Sequence, residues 1–280
     1  MSNHQLMGSL PARAGIGLRW PHIDQLLAEQ PDVAWLELLA DNHLHTGNLD
    51  YHRMMALAER YPVALHCVSM NLAGNDPLDF VYLERIKRLS QDTGAAWISD
   101  HACFCSHGNA HSHDLLPLPM TEAYAEHLAA RICLVQDYLE QRILLENLST
   151  YLRPPVAGLP EGQFLALVAE LADCDLLLDV NNFQVNSINF GDDPREQIGY
   201  LPADRIRQMH LGGYQKTDWG ALDTHGKEVW PDVWELFADT VARTGARPTL
   251  IEWDNDIPEL PRLLEEAARA DQILQQREVA

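Results

Sequence analysis

Four histidines stand at or just beyond the C-terminal ends of short apolar runs. They are His66 in PVALHCV, His101 after AAWISD, His210 in IRQMHLG and His225 in the DTH that follows. Carboxylates hold the same kind of place: Glu37 in VAWLELL, Glu146 in RILLENL, Asp179 in DLLLDV and Glu252 in PTLIEW. Asp100, Asn147, Asn181, Asn182, Asp223 and Asp254 stand beside them. A lone histidine after an apolar strand is usually a hydrogen-bonded core residue. A succession of strands that each bring an imidazole or a carboxylate to one rim is different. Charged groups at buried strand ends are costly unless they are paired or bound to metal. The chemistry this set suits is therefore metal chemistry. Imidazole with carboxylate, and no thiolate required, favours iron, zinc or manganese over copper(I) or a structural zinc cage. The donors outnumber what one ion takes, so two or three ions are expected. Glu146 or Glu252 could bridge a pair, because a carboxylate has two oxygens to share. Asp223 and His225 alternate by two, so they face one ion only if the loop bends locally.

The stretch HACFCSHGNAHSH, residues 101–113, is the densest in ligand-type residues. Only His101 falls on the rim. Cys103, Cys105, His107, His111 and His113 are expected in a loop with Gly108 and Asn109 at its turn. The CxC spacing suits a tetrahedral zinc poorly and no matching pair lies elsewhere, so the loop is not expected to be a zinc site of its own.

Eight apolar runs must position these residues: 14–20, 33–39, 62–68, 95–100, 142–148, 175–180, 206–212 and 248–253. Several are apolar on both faces, as strands covered by helices are. Amphipathic segments separate them, at 22–30, 49–60, 79–92, 121–140, 161–173, about 194–201, 231–244 and 258–276, with Thr121 a candidate cap. Eight such units in 280 residues predict a single (β/α)8 TIM barrel over residues 1–280. Its site would lie at the C-terminal ends of the strands. A doubly wound sheet is the competitor, but GIGLRW is no GxGxxG.

Composition narrows the partners. The chain is 46% hydrophobic, enough for one sizeable core, and carries 41 Asp+Glu against 20 Lys+Arg, a net charge of −21. Such a chain repels nucleic acid and anionic membranes. It has no apolar run long enough to span a bilayer. The five cysteines are odd in number, scattered and without a CxxC, so no disulfide framework is expected and a reducing cytoplasm is the expected location.

The motifs VALHCV, ISDHACF, DLLPLP, ILLENLS, LLLDVNNF, MHLGGY, DTHG and LIEWD occur in that order, from GIGLRW to LIEWDNDIP. In them the chain resembles the multinuclear non-haem iron-dependent oxidases, the family of the methanobactin biosynthesis oxidase. It looks closest to the branch paired with bufferin-type metal-stress peptides. The resemblance implies a (β/α)8 barrel holding two or three irons in mixed Fe(II)/Fe(III) states, with O2 as co-substrate. The ligands it implies are His66, His101, Glu146, Asn182, His210, Asp223, His225 and Glu252, with Asp179 a further ligand or supporting group. Glu146 and Asp179 are the carboxylates expected in the catalytic role. Asp100 is expected to orient His101, against a reading as a solvated turn residue. Asn42 and His43, in DNHLH after the second run, are the candidates for substrate contact, against a reading as a solvated loop. The implied activity is oxidation of cysteine in a ribosomally made precursor peptide, giving a heterocycle, a thioamide or excision of carbon. A separate protein that recognises the precursor's leader is the implied partner. The rival enzyme reading is a zinc- or manganese-dependent barrel hydrolase or isomerase of the endonuclease or xylose-isomerase type. A non-catalytic metal buffer is the third.

Overall fold

The computed structural model describes residues 4–108 and 110–276. Along the chain come β1 (Ala14–Gly17), α1 (Ile23–Glu29), β2 (Leu36–Leu39), α2 (Leu49–Ala58), β3 (Val63–His66), α3 (Phe80–Thr93) and β4 (Ile98–His101). Next are β5 (Phe104–His107), β6 (Ala110–Leu116), α4 (Glu122–Leu139), β7 (Leu144–Glu146), α5 (Glu161–Ala172), β8 (Asp175–Asp179), α6 (Val180–Phe190) and α7 (Pro194–Tyr200). The last elements are β9 (Ile206–Leu211), β10 (Tyr214–Lys216), β11 (Ala221–Asp223), α8 (Pro231–Thr244), β12 (Thr249–Ile251) and α9 (Leu260–Gln275). Eight strands close into a parallel barrel in the order β1-β12-β9-β8-β7-β4-β3-β2. The fold is a (β/α)8 TIM barrel, as the alternation of runs predicts.

Alternation along each strand sets the depth of the site. Trp35, Ala64, Leu144, Leu177 and Leu250 belong to one buried cluster that fills the barrel. Two residues further along each chain segment stand Glu37, His66, Glu146, Asp179 and Glu252. Because side chains i and i+2 share a face of a strand, the apolar layer and the polar layer above it are one pattern. The apolar layer closes the lower end, so the polar groups meet at the C-terminal mouth. Gly15 makes room for that layer: a Cβ there would collide with the Trp35 indole. The outer face of the barrel packs against the helices in a second, larger core.

The helix starts follow capping chemistry. Asn48 accepts from the Tyr51 N–H, Asp79 from Val81 and Tyr82, and Thr121, the expected cap, from Tyr124. Two expectations are corrected. Residues 103–113 are not a loop: β5 and β6 form an antiparallel hairpin, paired from Phe104 with Leu116 to His107 with Ala110. Gly108 has φ +58, as its place at the turn requires, and Asn109 lies outside the described residues. A further helix, α6, also precedes the expected one at 194–201. Its DVNNFQVN start carries little helix signal because asparagine competes with the helix backbone. Buried Val180, Phe183 and Val185 hold it in place, and Asp179 caps it by accepting from the Asn182 N–H at 2.7 Å.

Candidate metal centre

The strand ends bring three groups of donors into one chain of contacts. In the first, Nε2 of His66 lies 3.4 Å and Nε2 of His101 lies 3.3 Å from Oε2 of Glu146. Ser99 decides the tautomer of His66. Its hydroxyl donates to the Leu65 carbonyl at 3.2 Å, so at 2.9 Å it accepts from the Nδ1–H of His66. That leaves a lone pair on Nε2, facing Glu146. Asp100 accepts from the backbone N–H groups of His101 and Met70, and its Oδ1 lies 3.5 Å from Nδ1 of His101.

The second group is built on His210. Its Nδ1 lies 3.4 Å from Oε1 of Glu146 and 3.0 Å from Oε2 of Glu252. On the far side of the ring, Nε2 lies 3.1 Å from Oε2 of Glu37. The Gln208 amide donates to the same Glu37 oxygen at 2.5 Å, and its carbonyl accepts from the Trp97 indole N–H at 2.6 Å. The Gln208 amide nitrogen also lies 2.6 Å from Nε2 of His210, so Glu37 and Gln208 hold that side of the ring while Nδ1 faces Glu146 and Glu252. Asp179 joins Glu146, His210 and Glu252 in this group.

The third group is His225 with Glu252 and Asp254. Nδ1 of His225 lies 3.4 Å from Glu252 and 3.1 Å from Asp254, while Nε2 lies 2.8 Å from Oδ1 of Asp223. The local bend that Asp223 and His225 require is present: His225 has φ 43. Two glycines make room for this loop. A Cβ on Gly212 would come within 2.5 Å of the His225 ring, and one on Gly213 would strike the carbonyls of Lys227 and Glu228. The double glycine of MHLGGY is thus a clearance for the segment that carries Asp223 and His225. Arg19 pairs with the outer side of Asp254.

Glu146 belongs to the first two groups and Glu252 to the last two, so the groups form one continuous cluster. Within each, the donor atoms lie within 4.8 Å of one another. Burial and charge pull against each other here. Burial raises Asp179 well above the usual carboxylate range, and the charges of Glu146, Asp223 and Glu252 add to it over the opposition of His225. Burial pushes Glu146 and Glu252 the same way, but neighbouring imidazoles outweigh it and hold both low. Burial opposes charge on His101, yet Glu146 and Asp100 prevail and push it up to about 9. His210 and His225 are driven well up in the same manner. The buried carboxylates thus favour protons on these rings in the protein alone.

The donor set fits metal ions on a separate ground. Among buried side-chain atoms without a hydrogen-bond partner are Oε2 of Glu146, Oδ2 of Asp179, Oδ1 of Asn182, Nδ1 of His210 and Oε2 of Glu252. Buried polar atoms are rarely left so, and here they face one another at strand ends. Of these residues, Glu146, Asn182 and Glu252 line a cavity of about 230 Å³ together with Leu115, Ser149 and Tyr151.

The structure brings His66, His101, Glu146, Asp179, His210, His225 and Glu252 together in those groups. Asn182 lines the same cavity, its amide donating to the Asn147 carbonyl at 3.0 Å. Asp223 lines it too, held by Ser149 at 3.0 Å, Asn181 at 2.8 Å and His225. Asn42 and His43 do not line it. His43 is buried beside the Trp20 ring, and burial with the Arg19 charge pushes it down to about 4. On the hairpin, Cys103 is buried, whereas His107, His111 and His113 are exposed. Among the described residues, none of these joins a group of three or more metal-ligating side chains. All five cysteines are free thiols. Sequence reasoning passed over Ser99, Gln208, Ser149 and Arg19. The first two were findable, because each stands two residues before a site histidine and so shares its face.

A family model described as the RiPP precursor modification enzyme MbnB/TglH/ChrH matches residues 13–275. A UPF0276 protein of Acaryochloris marina is 45% identical over 261 residues, covering 93% of this chain and 94% of that one. A UPF0276 protein of Chromobacterium violaceum is 39% identical, covering 95% and 96%. Among solved structures, a xylose isomerase domain containing protein from Salmonella typhimurium superposes with a TM-score of 0.62 at 13% identity, covering 95% and 99%. A D-allulose 3-epimerase from Methylomonas sp. superposes with 0.58 at 15%, covering 96% and 99%. At that identity the likeness extends to the barrel alone.

Proposed function

Because the chain belongs to the MbnB/TglH/ChrH family of RiPP precursor modification enzymes, we propose that it is an iron-dependent, O2-using oxidase acting on cysteine residues of a ribosomally synthesised precursor peptide. The observation that carries this reading is the sharing of Glu146 and Glu252 between adjacent donor groups. Such sharing suits two or three ions side by side rather than one.

In this reading His66, His101 and Glu146 hold one ion. Glu146, Asp179, His210 and Glu252 hold a second. His225, Glu252 and Asp254 hold a third, with Asn182 and Asp223 beside them. Bound there, iron supplies one-electron chemistry toward dioxygen and a site for the peptide's thiolate. The chain's own residues do the rest. Ser99 and Glu37 orient the rings of His66 and His210, as carboxylates and hydroxyls behind ligand imidazoles commonly do. Glu146 and Asp179 are the carboxylates assigned the catalytic role, and Oδ2 of Asp179, with no hydrogen-bond partner and Nε2 of His225 4.0 Å away, is placed to take an ion or a proton. Leu115 on the hairpin and Tyr151 wall the cavity, limiting water and holding a cysteine side chain close to the donors. A separate leader-recognising protein completes the reading.

The test is co-expression with small Cys-containing reading frames, followed by peptide mass and metal analysis. The expected result is iron in the protein and a precursor that has lost hydrogens or a carbon unit at cysteine. Zinc or manganese at full occupancy, with isomerase or phosphodiesterase turnover and no oxygen uptake, would replace this reading with the hydrolase or isomerase one. A natural substrate without cysteine would also overturn it.

A further inference from the structure

A second recess lies beside the metal-site cavity, and a single run of backbone separates the two. In the segment after β7, Leu148, Ser149 and Tyr151 line the cavity, while Thr150, Leu152 and Arg153 line the recess. The segment after β6 divides the same way: Leu115 lines the cavity and residues 117–120 line the recess. Consecutive Cα atoms are only about 3.8 Å apart, so the wall is one chain thick. The recess encloses about 440 Å³.

Its lining joins two chemistries. One is apolar: Pro117, Leu118, Pro119, Leu159 and Pro160, with Leu152 and Val156 at 59% and 56% exposure. Exposed Tyr151 and Trp219 meet edge-on with ring centroids 6.0 Å apart, Tyr151 standing in the shared wall. Apolar side chains gathered on a rim mark contact surfaces. The other chemistry is acidic. Asp192 and Glu196 line the recess, together with Glu161, whose carboxyl burial pushes up to about 7. Among the described residues that do so, Arg153 is the one cation, and it is already paired with Asp192. The whole chain carries −21, so the field favours a cationic visitor.

The wall is also braced. Asn186 accepts from the Thr150 N–H at 2.8 Å, and it donates to the Leu148 carbonyl at 2.8 Å and to Glu161 at 3.0 Å. A surface held this way loses little freedom when it is covered.

We propose that this recess seats the stretch of precursor peptide next to the modified residue, and that it selects aliphatic or proline side chains flanked by lysine or arginine. The proposal rests on the reading of a peptide substrate. A small anion is disfavoured by the carboxylates, and a small apolar molecule would leave them unused. A peptide alone can occupy recess and cavity at once.

The probe is a fluorescein-labelled, cysteine-free peptide, Lys-Leu-Pro-Leu-Lys, compared with Glu-Leu-Pro-Leu-Glu by fluorescence anisotropy on the full metal-loaded chain. The basic peptide is expected to bind saturably and at least about tenfold more tightly than the acidic one. Leu152→Asp and Glu196→Lys, combined, are expected to weaken it about tenfold or more with metal content unchanged. No saturable binding, equal affinity for the two peptides, or unaltered binding by the double variant would each overturn the proposal. So would a dimer abolished by Leu152→Asp in sedimentation, because a second copy would then be the occupant. The two readings fail differently. If the recess discriminates between the peptides but the chain alters no precursor, the oxidase reading fails alone. If precursor is altered with the same half-saturation in the double variant, the recess fails alone.

Discussion

Ser99 shows how a neutral residue decides what a metal ligand can do. Its hydroxyl is committed to the Leu65 carbonyl, so it accepts a hydrogen bond from the His66 Nδ1–H and leaves Nε2 open. Ser99→Ala removes that direction while keeping the fold. Metal affinity at the first group is expected to fall about 10- to 100-fold, measured by titration with Fe(II) under anaerobic conditions. An unchanged affinity would mean that packing alone orients the ring. Glu161 gives a second prediction at this scale. Burial, opposed by the Asn186 hydrogen bond, pushes its carboxyl up to about 7 from the ordinary 4.5. The unfolded chain therefore loses this proton first as pH rises. Between about 4.5 and about 7 the folded state binds more protons, so stability falls with rising pH and levels off above. Glu161→Gln is expected to match the wild type in melting temperature at pH 5 and to exceed it at pH 8. Equal melting temperatures at both pH values would contradict this.

At the scale of elements, the loop from β9 to α8 delivers His225 only because two glycines clear its path. Gly212→Ala puts a methyl group against the His225 ring. The ring must shift, and the third donor group is expected to lose its ion while the other two keep theirs. Metal analysis after dialysis would show one ion fewer per chain, with the far-ultraviolet circular dichroism unchanged; a full complement would show that the loop yields. The barrel strands themselves were readable from sequence because each is short, apolar and followed by a helix-period segment. The β5–β6 hairpin was not, because its strands are half exposed and rich in histidine, serine and cysteine. Helix α6 was hidden by its asparagines, whose side chains are satisfied by residues as distant as Leu148 and Asp223.

For the molecule as a whole, the buried cluster is an acid–base balance as well as a set of donors. The buried carboxylates push His101, His210 and His225 toward holding protons. Ions must displace those protons, so metal binding is expected to release them and to weaken as pH falls. Calorimetric titration in two buffers of different ionisation enthalpy would measure the release. A result independent of buffer would mean that the rings are neutral before metal arrives. Bound ions should also raise the melting temperature, by about 2.7 kcal/mol of stability per site at a hundredfold excess over Kd. A chelator should reverse that gain. Among the described residues, no helix is long and apolar enough to cross a membrane.

By itself the sequence determined the barrel, the rim and the kinds of donor on it. Side chains alternate along a strand, helices recur with their own period, and both are local properties written residue by residue. Tertiary structure alone decided that Glu146 and Glu252 are each shared, that Ser99 and Glu37 stand behind particular rings, and that His43 packs beside Trp20 and does not line the cavity. The reason is geometric. Periodicity tells which face a residue takes, but the stagger between neighbouring strands and the path of each loop set which donors come within 3 to 4 Å of one another, and those depend on contacts between residues far apart in the chain.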